Sequence, residues 1–243
     1  MKKHVVFVAA MLIVLPITAS AHTVSVTVMD KYVVNKGITL HDGPVLQIDA
    51  FFGLRLGFYF DLWASKSLDR LSINDSFGNE IDLTLGWAGN VRGFGVDAGI
   101  AYFDLIELFS LNGGDVVQPF IELNKTFIPA DAHTLTPYVR VEIMLPVGWE
   151  GNPSSGAHIF AGVKHNWKVL DRLALNQKAA VMYDTGTFAG FSSGILGSYD
   201  LGLSVALTES VSVGPTFKVV FPVSDLDDGR KTEYAFGGVV YKF

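Results

Sequence analysis

A chain of 243 residues that is 49% hydrophobic and only 17% charged, with a net charge of −6, offers no basic surface for nucleic acid. It contains no cysteine, which excludes disulfides, thiolate metal sites and a cysteine-anchored lipoprotein. Its mean hydropathy of +0.35 is high, yet a long apolar run occurs only at the N-terminus. Elsewhere the apolar residues fall in short alternating pieces, which is how a β-barrel conceals its membrane signal.

Residues 1–21 read as a cleaved secretory signal peptide, leaving 22–243 as one barrel domain. Lys2 and Lys3 form the positive region, Val5 to Ile17 the apolar run, and Ala19-Ser20-Ala21 the cleavage site. A helix over that run spans about 20 Å, short of a hydrocarbon core of roughly 30 Å. A transmembrane anchor is therefore the poorer reading.

Twelve segments then alternate with period two: 23–34, 45–52, 54–65, 79–89, 92–103, 116–125, 134–145, 157–167, 172–184, 196–207, 211–222 and 232–243. In the third, Leu54, Leu56, Phe58, Phe60 and Leu62 share one face, and Arg55, Tyr59, Asp61 and Trp63 the other. Pro119, Pro137 and Pro215 interrupt three segments, where bulges or later strand starts are expected. Long Gly-, Asn-, Asp-, Ser- and Pro-rich connections follow the odd segments, among them Lys36–Pro44, and mostly short links follow the even ones. This is the loop asymmetry of outer-membrane barrels. The expected fold is an all-β, transmembrane, antiparallel up-and-down barrel of about twelve strands. The last segment closes it by pairing with the first.

That last segment, TEYAFGGVVYKF, resembles the C-terminal assembly signal of Gram-negative outer-membrane proteins, with Tyr241 two residues before Phe243. The resemblance implies the barrel-assembly machinery as a partner during insertion. A second resemblance lies at 36–65. Gly37-Ile38-Thr39-Leu40-His41-Asp42-Gly43-Pro44 and Gln47, followed by Gly57-Phe58-Tyr59 through Trp63-Ala64-Ser65, resemble the opening of the TorF-type family of porin-like proteobacterial outer-membrane proteins. That family carries Arg and Ser where this chain has Lys36 and Thr39, and one more residue before its proline. The resemblance implies a porin-like barrel and names no substrate.

Buried charge is costly in lipid, so the apolar faces point outward and the polar faces line the lumen. Parity places Asp49, Arg55, Asp61, Glu80, Asp82 and Asp97 on one wall. It places Arg140, Glu142, His158, Lys164, Lys178, Asp184, Asp200 and Lys218 on the other. Walls of opposite sign set a transverse field across a pore and favour polar or charged solutes. The competing reading is that these charges pair across strands and close the lumen, leaving a structural or adhesive barrel that works through its outer loops. Apolar Ile106, Leu108, Phe109 and Leu111 in the third long loop are candidates for a constriction folded into the pore.

Enzymatic readings find little support. Barrel lipases and deacylases use a His with Ser two residues on, and none of the six His has one. His41, Asp42, Asp225, Asp227 and Asp228 read as solvated loop charges, and the last three lack the graded spacing of a calcium loop. The expectation is a non-enzymatic outer-membrane channel of a Gram-negative bacterium, without cofactor or metal. Its partners are membrane lipid, lipopolysaccharide and small polar solutes.

Overall fold

A computed structural model describes residues 21–35, 37–69, 78–105, 115–147, 154–187, 191–226 and 228–242. Its strands are β1 (Ala21–Met29), β2 (Tyr32–Val34), β3 (Ile38–His41), β4 (Val45–Gly53), β5 (Phe58–Ser67), β6 (Glu80–Val91), β7 (Phe94–Asp104) and β8 (Asp115–Asn124). They continue with β9 (Phe127–Ala130), β10 (His133–Val147), β11 (Gly156–Leu170), β12 (Leu173–Asp184), β13 (Gly194–Ala206), β14 (Val211–Pro222) and β15 (Glu233–Lys242). All but β2, β3 and β9 form the wall. Each wall strand pairs antiparallel with its neighbours, β10 closes onto β11, and β15 closes onto β1 with Val24 opposite Lys242. The result is a closed twelve-stranded barrel, as the alternation predicts.

The wall forms because every strand has one face for each environment. Leu85, Ile100, Leu123, Val139, Val181 and Phe236 are exposed on the outside. Their neighbours in sequence point into the lumen, where Phe120, Tyr138, Met182 and Ala235 are buried. The expected bulges at the prolines do not occur as register shifts, although the ladder lapses opposite Pro119 on β10 and opposite Pro215 on β13. Pro137 pairs with Val163 and Pro215 with Gly238 in unbroken register. Beside Pro215, Gly214 lies so close to β13 that an added Cβ would clash with the Leu203 carbonyl. The missing side chain, not a bulge, accommodates the strand there.

Most segment boundaries agree with the sequence reading to within three residues, and two differ by more. The third strand begins at Phe58, not at residue 54. Residues Arg55–Gly57 form a 3₁₀ turn, with φ of +60° at Leu56 and +84° at Gly57, and the Leu54 amide donates to the Phe58 carbonyl at 2.7 Å. The first strand ends at Met29. Asp30 replaces a ladder partner there, accepting from the Phe236 amide through Oδ1 at 2.8 Å, and the chain then leaves the wall.

The long-loop rim is pinned by a buried ionic network. Arg230 donates to Asp184 at 2.9 Å, to Asp228 at 2.9 Å and to the Ser192 carbonyl. Asp184 also accepts from the amides of Gly186 and Thr187 at 2.9 and 3.0 Å. The side chains of Arg230 and Asp228 are 1% and 3% exposed, so Asp228 is not the solvated loop charge its composition suggests. His41 is likewise buried, against Asp69 at 2.7 Å. Burial raises the Asp228 carboxyl, but hydrogen bonds from Arg230 and Ser192 outweigh it and hold the group well below the usual carboxylate range.

Removing the base strands buried acids, so R230A should lose about 3–5 kcal/mol in urea unfolding of the refolded protein. Because the Asp228 pKa is lowered on folding, its contribution is complete above about pH 4, the unfolded value, and fades as pH falls toward the folded one. The gap between wild type and R230A should therefore narrow below about pH 4. An equal gap at all pH values would remove Asp228 from the network's energetics.

Candidate functional site

The short hairpin β2–β3 folds from the first long connection into the lumen. Val33 is 3% exposed and packs in an apolar cluster with Met29, Val45, Phe160, Leu196 and Val220 from the inner wall. Tyr32 crosses to the opposite side. Its hydroxyl donates to Glu80 at 2.6 Å, and its ring lies 5.6 Å from that of Trp63. Lys31 ties the base of the hairpin to Glu233 at 3.2 Å. Gly37, with φ of +68°, supplies the reversal in the tip, where only a residue without Cβ is unstrained. The residues of the family-like opening thus have a physical use. The loop portion makes the inserted hairpin, and Tyr59, Trp63 and Ser65 make the inner wall beside it.

The hairpin and its apolar cluster fill one side of the lumen. The other side keeps a cavity of about 680 Å³, lined by Tyr32 and Val34 of the hairpin, by Gln47, Phe51, Tyr59, Asp61, Trp63, Asp82, Asp97 and Phe103, and by Arg140, Glu142 and Lys218.

The wall of β4–β7 is acidic. Asp49 and Asp61 stand on the paired strands β4 and β5. Glu80 accepts from Tyr32, and Asp97 accepts from Tyr59 at 2.8 Å. One oxygen each of Asp61 and Asp82 is shielded from solvent without a hydrogen-bond partner.

The facing wall is mixed and paired. Arg140 donates to Glu142 at 2.6 Å, lies 4.0 Å from Glu122, and stacks 4.0 Å over the Phe120 ring. Lys164 donates to Glu122 at 2.8 Å. Lys178 and Lys218 both stand directly opposite Asp200 in the ladder. His158 lies 3.6 Å from Glu142 and 3.1 Å from the Thr187 hydroxyl.

Of the residues expected at the pore, Asp61, Asp82, Asp97, Arg140, Glu142 and Lys218 border the cavity. Lys164, Lys178, Asp49 and Glu80 stand on its flanking strands. Arg55 does not stand on the wall. It sits exposed in the 3₁₀ turn, beside a cleft shared with Phe51, Tyr59 and Ala88 at the short-turn mouth. Ile106, Leu108, Phe109 and Leu111 lie outside the described residues, as do Phe243 and residues 1–20 of the expected signal peptide 1–21, whose last residue, Ala21, opens β1. Tyr241 is described, on β15 opposite Ser25 and Ser212. The sequence reading missed Tyr32, which it placed in the wall, and Glu122, whose inward parity on β8 could have revealed it.

No protein-family model and no characterised protein matches the sequence. Among solved structures, the chain is similar to the NanC porin, with a TM-score of 0.56 at 9% identity over 92% of this chain and 99% of that one. It is similar to the KdgM porin in complex with disordered oligogalacturonate, with a TM-score of 0.55 at 10% identity over 92% and 99%. It is also similar to the translocator domain of the autotransporter NalP from Neisseria meningitidis, with a TM-score of 0.54 at 9% identity over 100% and 95%. At these identities the likeness is one of fold, and the fold is that of outer-membrane β-barrels, porins among them.

Proposed function

We propose that this protein is an outer-membrane channel for passive diffusion of small polar or charged solutes, and not an enzyme. The observation that carries the reading is the chamber of about 680 Å³ inside a closed barrel, between an acidic wall and one of paired charge. The porin fold of the NanC and KdgM structures supports it. A polar lumen of this kind favours hydrated solutes over apolar ones. The exposed apolar outer band suits membrane lipid and lipopolysaccharide, and the Tyr241-to-Phe243 ending suits the barrel-assembly machinery. The 37–65 motif supports membership of the TorF-type family.

The packed hairpin favours a second reading, a closed barrel acting through its outer loops. Proteoliposome swelling separates the two. A channel admits a pentose faster than it admits a disaccharide, and both faster than empty liposomes do. Swelling equal to that of empty liposomes leaves the closed barrel.

A further inference from the structure

A chain of hydrogen bonds crosses the outward face of β10–β13. The Tyr199 hydroxyl donates to Gln177 Oε1 at 2.8 Å, Gln177 Nε2 lies 3.2 Å from His165 Nδ1, and His165 Nε2 lies 3.0 Å from His133 Nδ1. A carboxamide nitrogen only donates, so His165 Nδ1 accepts and its proton sits on Nε2, which donates to His133. These side chains face lipid, not lumen. Gln177 stands opposite His165 and Leu201, and Tyr199 opposite Ala179 and Val219, on the faces that carry exposed Ile159, Val181 and Ile195. The chain starts with His133 at the short-turn rim and climbs to Tyr199 near the middle of β13. Trp167, exposed one outward position nearer the short turns than His165, suits the headgroup level. His165, Gln177 and Tyr199 therefore stand in the hydrocarbon band, where polar side chains are rare and costly. Among the described residues the middle of that band is apolar on the other side of the barrel, as at Leu85, Ile100 and Ile121.

The chain leaves a donor and an acceptor over. Among the described residues, Gln177 has no acceptor for its second amide proton and the Tyr199 oxygen has no donor. Both residues keep exposed surface. Acyl chains offer neither donor nor acceptor. A second copy of the same wall offers both. Across a two-fold axis, the Gln177 amide of each copy meets the Tyr199 oxygen of the other. Ala161 and Ala179 share this face and project little, so the two walls can approach. A single polar sector supports an isologous pair, because a ring needs two different patches on each copy. Four strands about 4.8 Å apart and a band about 25 Å tall give roughly 500 Å² per copy and about 1,000 Å² in all, the least a specific interface needs.

We infer that the outward face of β10–β13 is an interface between two copies of this chain, held by reciprocal Gln177–Tyr199 hydrogen bonds. The pairing does not depend on conduction, since the lumen takes no part in it.

The chain has no cysteine, so a single introduced one reports alone. Residues 22–243 carrying A179C or A161C, refolded into phosphatidylethanolamine–phosphatidylglycerol liposomes and treated with a short bis-maleimide, should give cross-linked dimers. L85C, across the barrel, should stay monomeric under the same treatment. Sedimentation equilibrium in mild detergent should give twice the chain mass, with the dissociation constant raised about tenfold in Q177L and in Y199F. Dimers from L85C as readily as from A179C, or an association untouched by both Q177L and Y199F, overturns the inference. So does a mass of three or more chains, which replaces the pair by a ring. A monomer that carries phospholipid through purification makes lipid the occupant of this face and overturns it too.

Discussion

Replacing residues 31–43 by a short Gly-Ser turn between β1 and β4 is expected to raise the single-channel conductance at least about twofold. The hairpin and the cluster beneath it occupy one side of the lumen, and Val33, Tyr32 and Lys31 each hold it there by a different contact. Burial of a valine stabilises by about 1.5–3 kcal/mol, and a hydrogen bond to a carboxylate contributes a similar amount. The deletion should therefore lower unfolding resistance as well as widen the path, while the wall of twelve strands keeps its pairing. A folded deletion variant with unchanged conductance would show that the hairpin is not the constriction. The third long loop would then return as the candidate.

Neutralising Asp61 and Asp82 together should move ion selectivity toward anions. The wall of β4–β7 carries five inward carboxyl groups, and these two face the chamber without a basic neighbour on their own wall. Charged rings and walls set the local ion population in a narrow pore. In a tenfold salt gradient a perfectly selective pore gives about 59 mV, and loss of these two groups should shift the reversal potential by on the order of 20 mV. Substitution of Lys218 should do less, because Asp200 retains Lys178 beside it. A D61N/D82N variant with the wild-type reversal potential would remove both residues from the conduction path.

The wall was legible because each residue of a membrane strand faces either lipid or lumen, and period two records that choice locally. The same signal misleads where it runs past a strand. Leu54, Arg55, Leu56 and Gly57 continue the alternation of β5, yet the chain needs four residues to reverse there, and the turn takes them. Arg55 left the wall for that reason. At the first strand a warning was present. Asp30 falls on the face otherwise occupied by Val24, Val26 and Val28, a charge at a lipid-facing position, and it marks where the chain departs. Where the chain goes next was not legible. The contacts that draw the hairpin inward join Tyr32 to Glu80 and Lys31 to Glu233, far apart in sequence. No local pattern encodes them. The buried state of Asp228 was hidden in the same way, since its partners Ser192 and Arg230 meet only when two loops close over the rim.

The most direct test of the central claim is the conductance of refolded residues 22–243 in a planar bilayer under a salt gradient. The account predicts discrete steps and a reversal potential on the cation-selective side of zero, set by the inward acids Asp61, Asp82 and Asp97 beside the chamber. Well-folded barrels that insert without producing steps would contradict it.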